Sequence, residues 1–138
     1  MKKFQNRRPL RVKLIIIQLG FVFLSGCTTG PTRTDDGAFS PSKEARISPA
    51  SVQAFADCLL DGFDKAHFML TNIASRQQRR SNSYRVETFA AGRILLISAD
   101  VFDHGHVVLN ESASAALVNT SGERQAFEEC LNKYAIAK

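Results

Sequence analysis

At 138 residues, with 44% hydrophobic and 22% charged side chains, the chain has room for one domain with a small core. Its formal charge of +5 points toward an acidic partner only until the charges are located, because six of the 18 basic residues, Lys2, Lys3, Arg7, Arg8, Arg11 and Lys13, crowd into a start that holds none of the 13 acidic ones. Without that start 12 basic residues face 13 acidic ones, about −1, so the basic footprint that nucleic-acid binding requires is missing. After the basic start, Leu14, Ile15, Ile16, Ile17, Leu19, Phe21, Val22, Phe23 and Leu24 make an apolar run of about 11 positions. That is the layout of a secretory signal, and it is too short for a spanning helix.

The run ends in Leu24-Ser25-Gly26-Cys27, which resembles the lipobox of bacterial lipoproteins: a leucine, two small residues, then the cysteine that is lipidated. The resemblance implies that residues 1–26 are a removed signal peptide and that Cys27 becomes the first residue, with a diacylglycerol on its sulfur and an acyl chain on its amine. A buried methylene contributes roughly 0.8 kcal/mol, and two or more chains hold firmly where one binds reversibly. Thr28 stands where an aspartate marks inner-membrane retention, so the resemblance further implies the outer membrane, facing the periplasm.

Residues 27–46 follow as a lipidated start and a polar run holding Gly30, Pro31, Asp35, Asp36, Gly37 and Pro41, with Phe39 its one large apolar side chain. Such a run buries too little to offset the entropy of ordering, and reads as a flexible tether ahead of a globular domain at 47–138. Ser48-Pro49 has the form of a helix start, with serine as cap and proline at the first helical position. Val52, Phe55, Ala56, Leu59 and Phe63 then recur at offsets of three and four on one face, and Gly62 predicts that the helix weakens near its end.

Phe68 to Ile73 reads as a first strand or as the helix running on, and Ser75 to Ser83 as a polar loop with Arg76, Arg79 and Arg80. Tyr84 to Phe89 alternates as a strand, and Arg93 to Phe102 holds the strongest one, Ile94-Leu95-Leu96-Ile97, apolar on both faces and therefore central. Ala91-Gly92 is a tight link, and Asp103-His104-Gly105 a hairpin connection with a positive φ expected at the glycine, returning as His106 to Asn110. A second helix opens at Ser121, with Phe127, Cys130, Leu131 and Tyr134 on one face.

Cys58 and Cys130 remain once Cys27 is set aside, and an oxidising compartment favours a disulfide between them over a metal pair or free thiols. Such a bridge requires the two helices to lie side by side. The expected fold is therefore α+β, a small two-layer domain with an antiparallel sheet of three to four strands, the N-terminal and C-terminal helices on one face, and the order α-β-β-β-(β)-α. That order resembles small periplasmic lipoproteins of unknown function. The sheet face opposite the helices is where binding is expected.

His104 and His106, two apart, are the candidates for a metal pair, with His67 or Asp100 as further ligands, although Gly105 between them favours a polar hairpin. Arg76, Arg79 and Arg80 are candidates for contact with anionic headgroups or an acidic partner. No Gly-x-Ser-x-Gly elbow, Cys-x-x-Cys pair or phosphate-binding glycine loop is present, so no cofactor and no catalytic residue is expected. The reading that follows is a non-enzymatic binding or accessory lipoprotein of the envelope with a protein partner. Its alternatives are a toxin-neutralising immunity or inhibitor lipoprotein, and a small envelope enzyme or metal-binding protein using His104 and His106.

Overall fold

The computed structural model describes residues 39–67 and 69–136. The signal, the lipobox with Cys27, residues 28–38 and Phe68 lie outside the described residues. The domain is α+β, built from five strands and two α-helices: β1 (Phe39–Arg46), α1 (Val52–Ala66), β2 (Ile73–Arg79), β3 (Ser83–Ala90), β4 (Ile94–Phe102), β5 (His106–Ser112) and α2 (Ser121–Tyr134). All strands pair antiparallel, in the order β1-β5-β4-β3-β2. The doubly apolar strand β4 is the middle one, as its composition requires, since an edge strand would leave much of that apolar surface in water.

Both helices lie on one face of this sheet. Phe55, Leu59 and Phe63 of α1 and Phe127 and Leu131 of α2 form one buried cluster with Val86, Ile97, Ala99, Val101, Val107 and Leu109. Burying each such side chain contributes roughly 1.5 to 3 kcal/mol against the entropy of ordering the chain. Phe55 meets Phe127 and Tyr134 edge-on, with ring centroids 6.0 and 6.1 Å apart, so α1 and α2 share their aromatic core.

The Cys58–Cys130 disulfide joins the helices with their α-carbons 6.0 Å apart. One turn further along each helix, a Cβ on Gly62 would sit 2.5 Å from the Cβ of Ala126, and one more turn on, a Cβ on Gly122 would sit 2.7 Å from that of Ala66. Cys58, Gly62 and Ala66 thus face Cys130, Ala126 and Gly122 along one antiparallel seam. Gly62 was expected to weaken α1, but the helix continues to Ala66 and the glycine instead admits the neighbouring helix. Ser48 likewise makes no side-chain cap hydrogen bond, and Pro49–Ser51 forms a 3-10 turn before α1 proper begins.

The sheet is larger than the expected three to four strands because both edges were missed. Residues 39–46, expected to belong to the tether, form β1 against β5, from Phe39 opposite Ser112 to Arg46 opposite His106. Only Phe39 and Ala45 of this strand are even partly buried, so β1 is held chiefly by main-chain hydrogen bonds, which side-chain hydrophobicity does not report. The register shifts between Pro41 and Lys43, an edge irregularity of the kind that lets a residue without an N–H sit in a strand. At the other edge, Arg76 and Arg79 lie in β2 rather than in a loop. The loop that remains is residues 80–82, closed by the Arg80 N–H donating to the Ser83 carbonyl at 2.8 Å.

Candidate binding surface at the distal end

Antiparallel pairing gives the sheet two distinct ends. At the proximal end β1 starts, β5 stops, and the connections 67–72, 91–93 and 113–120 gather. At the distal end β1 stops, β5 starts, and the hairpin turns 80–82 and 103–105 lie side by side. The Arg79–Arg80 pair and the His104–His106 pair, separate in the sequence, meet at this distal end.

Arg79 is the joint between them. Its two terminal nitrogens donate to Asp103 Oδ1 at 2.6 Å and Oδ2 at 2.9 Å, and its guanidinium lies over the Tyr84 ring, 4.6 Å from the centroid. The planar fork matches a carboxylate in two bonds, which fixes orientation as well as distance. Hydrogen bonding to Asp103 raises the Arg79 pKa, and hydrogen bonding to Arg79, with the charges of Arg79 and His104 behind it, holds Asp103 below its ordinary carboxylate value. The Asp103 N–H donates to the Asn82 carbonyl at 2.9 Å, so the two turns are tied through main chain as well.

Phe102, His104 and His106 form an aromatic group with centroids 5.6, 5.8 and 6.0 Å apart, and His106 Nε2 lies 3.2 Å from Glu44 Oε2 on β1. Gly105 has φ +83°, as the hairpin demands, and a Cβ there would collide with the Ile47 carbonyl oxygen. The Ile47 N–H donates to the Gly105 carbonyl at 2.8 Å, so the turn is clamped by the chain leaving β1. Among the described residues no three His, Cys, Asp or Glu side chains converge as a metal-ligand set.

Arg76 does not join this group. Strand alternation turns it to the helix-free face, where it contacts Glu87 Oε2 at 3.2 Å and lies 4.2 Å from the Phe89 ring centroid. Arg85 and Asp100 pair beside it at 2.7 Å. This face, where binding was expected, carries these charges together with the buried polar atoms Ser98 Oγ, Asn110 Nδ2 and Ser112 Oγ, which have no hydrogen-bond partner among the described residues. Arg80 lies in the turn, its guanidinium 3.5 Å from Gln78 Oε1.

A pair that sequence reasoning did not reach is His67 and Glu123, 2.7 Å apart, with side-chain exposures of 8% and 0%. In sequence Glu123 reads as an ordinary acidic residue of a first helical turn, and nothing in its spacing reports burial. Comparison of the chain with protein families, with curated proteins and with solved structures found no match. No helix among the described residues is long and apolar enough to cross a membrane.

Proposed function

We propose that this is a lipid-anchored protein of the bacterial envelope, held through Cys27 at the outer membrane and facing the periplasm, with a non-enzymatic binding or accessory role. The observation that carries the reading is Leu24-Ser25-Gly26-Cys27, set after a basic start and an apolar run and a short distance ahead of β1. The geometry supports the way such an anchor would present the domain. β1 begins at the proximal end, so a chain arriving from Cys27 leaves the distal group of Arg79, Asp103, His104 and His106 turned away from the membrane, toward a protein partner.

Cys27→Ser tests the anchor. Metabolic labelling with a clickable fatty acid is expected to mark the wild type and not the variant, which then accumulates as soluble domain or uncleaved precursor. Equal labelling of the two removes the reading.

A further inference from the structure

Four large apolar side chains stand exposed among the described residues: Met69 at 76%, Leu70 at 48%, Leu117 at 88% and Ile136 at 57%. Three of them sit at the proximal end. Met69 and Leu70 belong to the connection from α1 to β2, and Leu117 closes the 3-10 turn Ala113–Leu117 that follows β5. The two connections meet, since Leu70 and Val118 line the same shallow groove, of about 320 Å³, together with Ala66, His67 and Asn119. Arg93, in the turn from β3 to β4, is exposed at this end and makes no ion pair among the described residues.

The chain outside the described residues enters at the same place. Phe39 lies opposite Ser112, the residue from which the 3-10 turn with Leu117 departs. Between Cys27 and Phe39 stand residues 28–38, and about 11 residues span at most roughly 40 Å in any conformation. Because β1 takes up residues 39–46, the stretch between Cys27 and the sheet is about half the length expected from sequence, and the proximal end is the part of the sheet it reaches first. Arg79 and Arg80, the sequence candidates for headgroup contact, lie at the opposite end of β2, roughly 20 Å away.

We infer that the proximal end is a membrane-contact footprint, in which Met69, Leu70 and Leu117 rest in the headgroup and acyl boundary of the bilayer that holds Cys27, with Arg93 on anionic headgroups. Exposed apolar side chains beside a cation suit such a boundary, and the anchor supplies the local concentration that three side chains alone do not. The inference rests on the proposed lipidation of Cys27. Contact at the proximal end holds the distal surface outward.

The test uses the full lipidated chain in vesicles whose phospholipids carry brominated acyl chains. Leu70→Cys, Leu117→Cys and Ile136→Cys are made singly and labelled with an environment-sensitive fluorophore under non-reducing conditions, so that the Cys58–Cys130 disulfide is kept. Ile136 is the internal control, an exposed apolar residue just beyond α2 at the distal end. Labels at 70 and 117 are expected to lose roughly half or more of their emission to bromine and to shift blue, and the label at 136 to do neither. Labels at 70 and 117 quenched no more than the one at 136, whether they face water, a second copy or another protein, overturn the footprint. The mass of residue 27 separates the two failures: an unlipidated cysteine sinks the anchor and the footprint together, whereas a lipidated one with unquenched labels sinks the footprint alone.

Discussion

The distal and proximal ends of the sheet are closed by different chemistry. At the distal end two short turns, 80–82 and 103–105, each join neighbouring strands, and their closure is local: a glycine with φ +83°, main-chain bonds, and the exposed Arg79–Asp103 fork. At the proximal end the chain must cross between layers, from α1 into β2 and from β5 into α2, and no two-residue turn can do that. Those crossings are secured from inside, by the close approach of Ala66 to Gly122 and by the buried pair of His67 and Glu123, while apolar side chains are left outside. In this domain the two distal hairpin turns are finished with surface groups, whereas the crossings from α1 into β2 and from β5 into α2 share a buried contact.

The largest test of that contrast is His67→Ala. It leaves Glu123, 0% exposed and with Oε2 unpaired among the described residues, without its hydrogen bond to His67. Leaving a buried polar group unpartnered costs about 1 to 3 kcal/mol, and the cavity left by the buried ring adds on the order of 2 kcal/mol. Urea unfolding is expected to show the loss in the midpoint, with His67→Gln recovering part of it through a remaining donor. A midpoint close to wild type for His67→Ala would mean that the proximal crossings are held by packing alone.

Next in size is the covalent end of the helix seam. Cys58→Ser with Cys130→Ser is expected to lower stability by roughly 2 to 4 kcal/mol, since the bridge closes a loop of 72 residues. Reduction should reproduce the loss in wild type and change nothing in the double variant. Hydrogen exchange adds detail: amides of both helices should lose protection together, because α1 and α2 share one core.

The smallest effect belongs to the distal fork. Arg79→Ala should leave the unfolding midpoint within error of wild type at neutral pH, because exposed ion pairs are heavily screened. The fork is nevertheless readable by titration. Asp103 is held below its ordinary value, so whatever stability the pair supplies is present above the usual carboxylate range and is lost as pH falls from there through the lowered value. Side-chain NMR should find Asp103 titrating below the ordinary aspartate value in wild type and moving upward in Arg79→Ala.

Much of the frame is legible in the order of residues alone. The apolar stripe Val52, Phe55, Ala56, Leu59 and Phe63 is the buried face of α1. The strands from Tyr84 onward, the positive φ at Gly105 and the start of α2 at Ser121 appear where alternation, turn chemistry and helix periodicity put them. The bridge between Cys58 and Cys130 agrees with the placing of each cysteine beside the apolar face of its helix. What is not legible either depends on partners far along the chain or lies in strands that bury little. β1 and β2 are edge strands with little buried apolar surface, so neither carries the alternating pattern that announces a strand. Arg76 and Arg79 read as one cationic cluster in sequence, yet β2 sends them to opposite faces.

By itself the sequence determined the helix stripes, the central strands and the turns, because each is written in spacings of a few residues set by the geometry of helix, strand and turn. Only the tertiary structure decided that Gly62 and Gly122 open a helix seam, that His67 reaches Glu123, and that Arg79 joins the turn containing His104. It also decided that Met69, Leu70 and Leu117 gather at the end where the chain enters. These contacts join residues 24 to 60 or more positions apart, and a side chain's environment at that range is set by how whole elements pack, which no local spacing encodes.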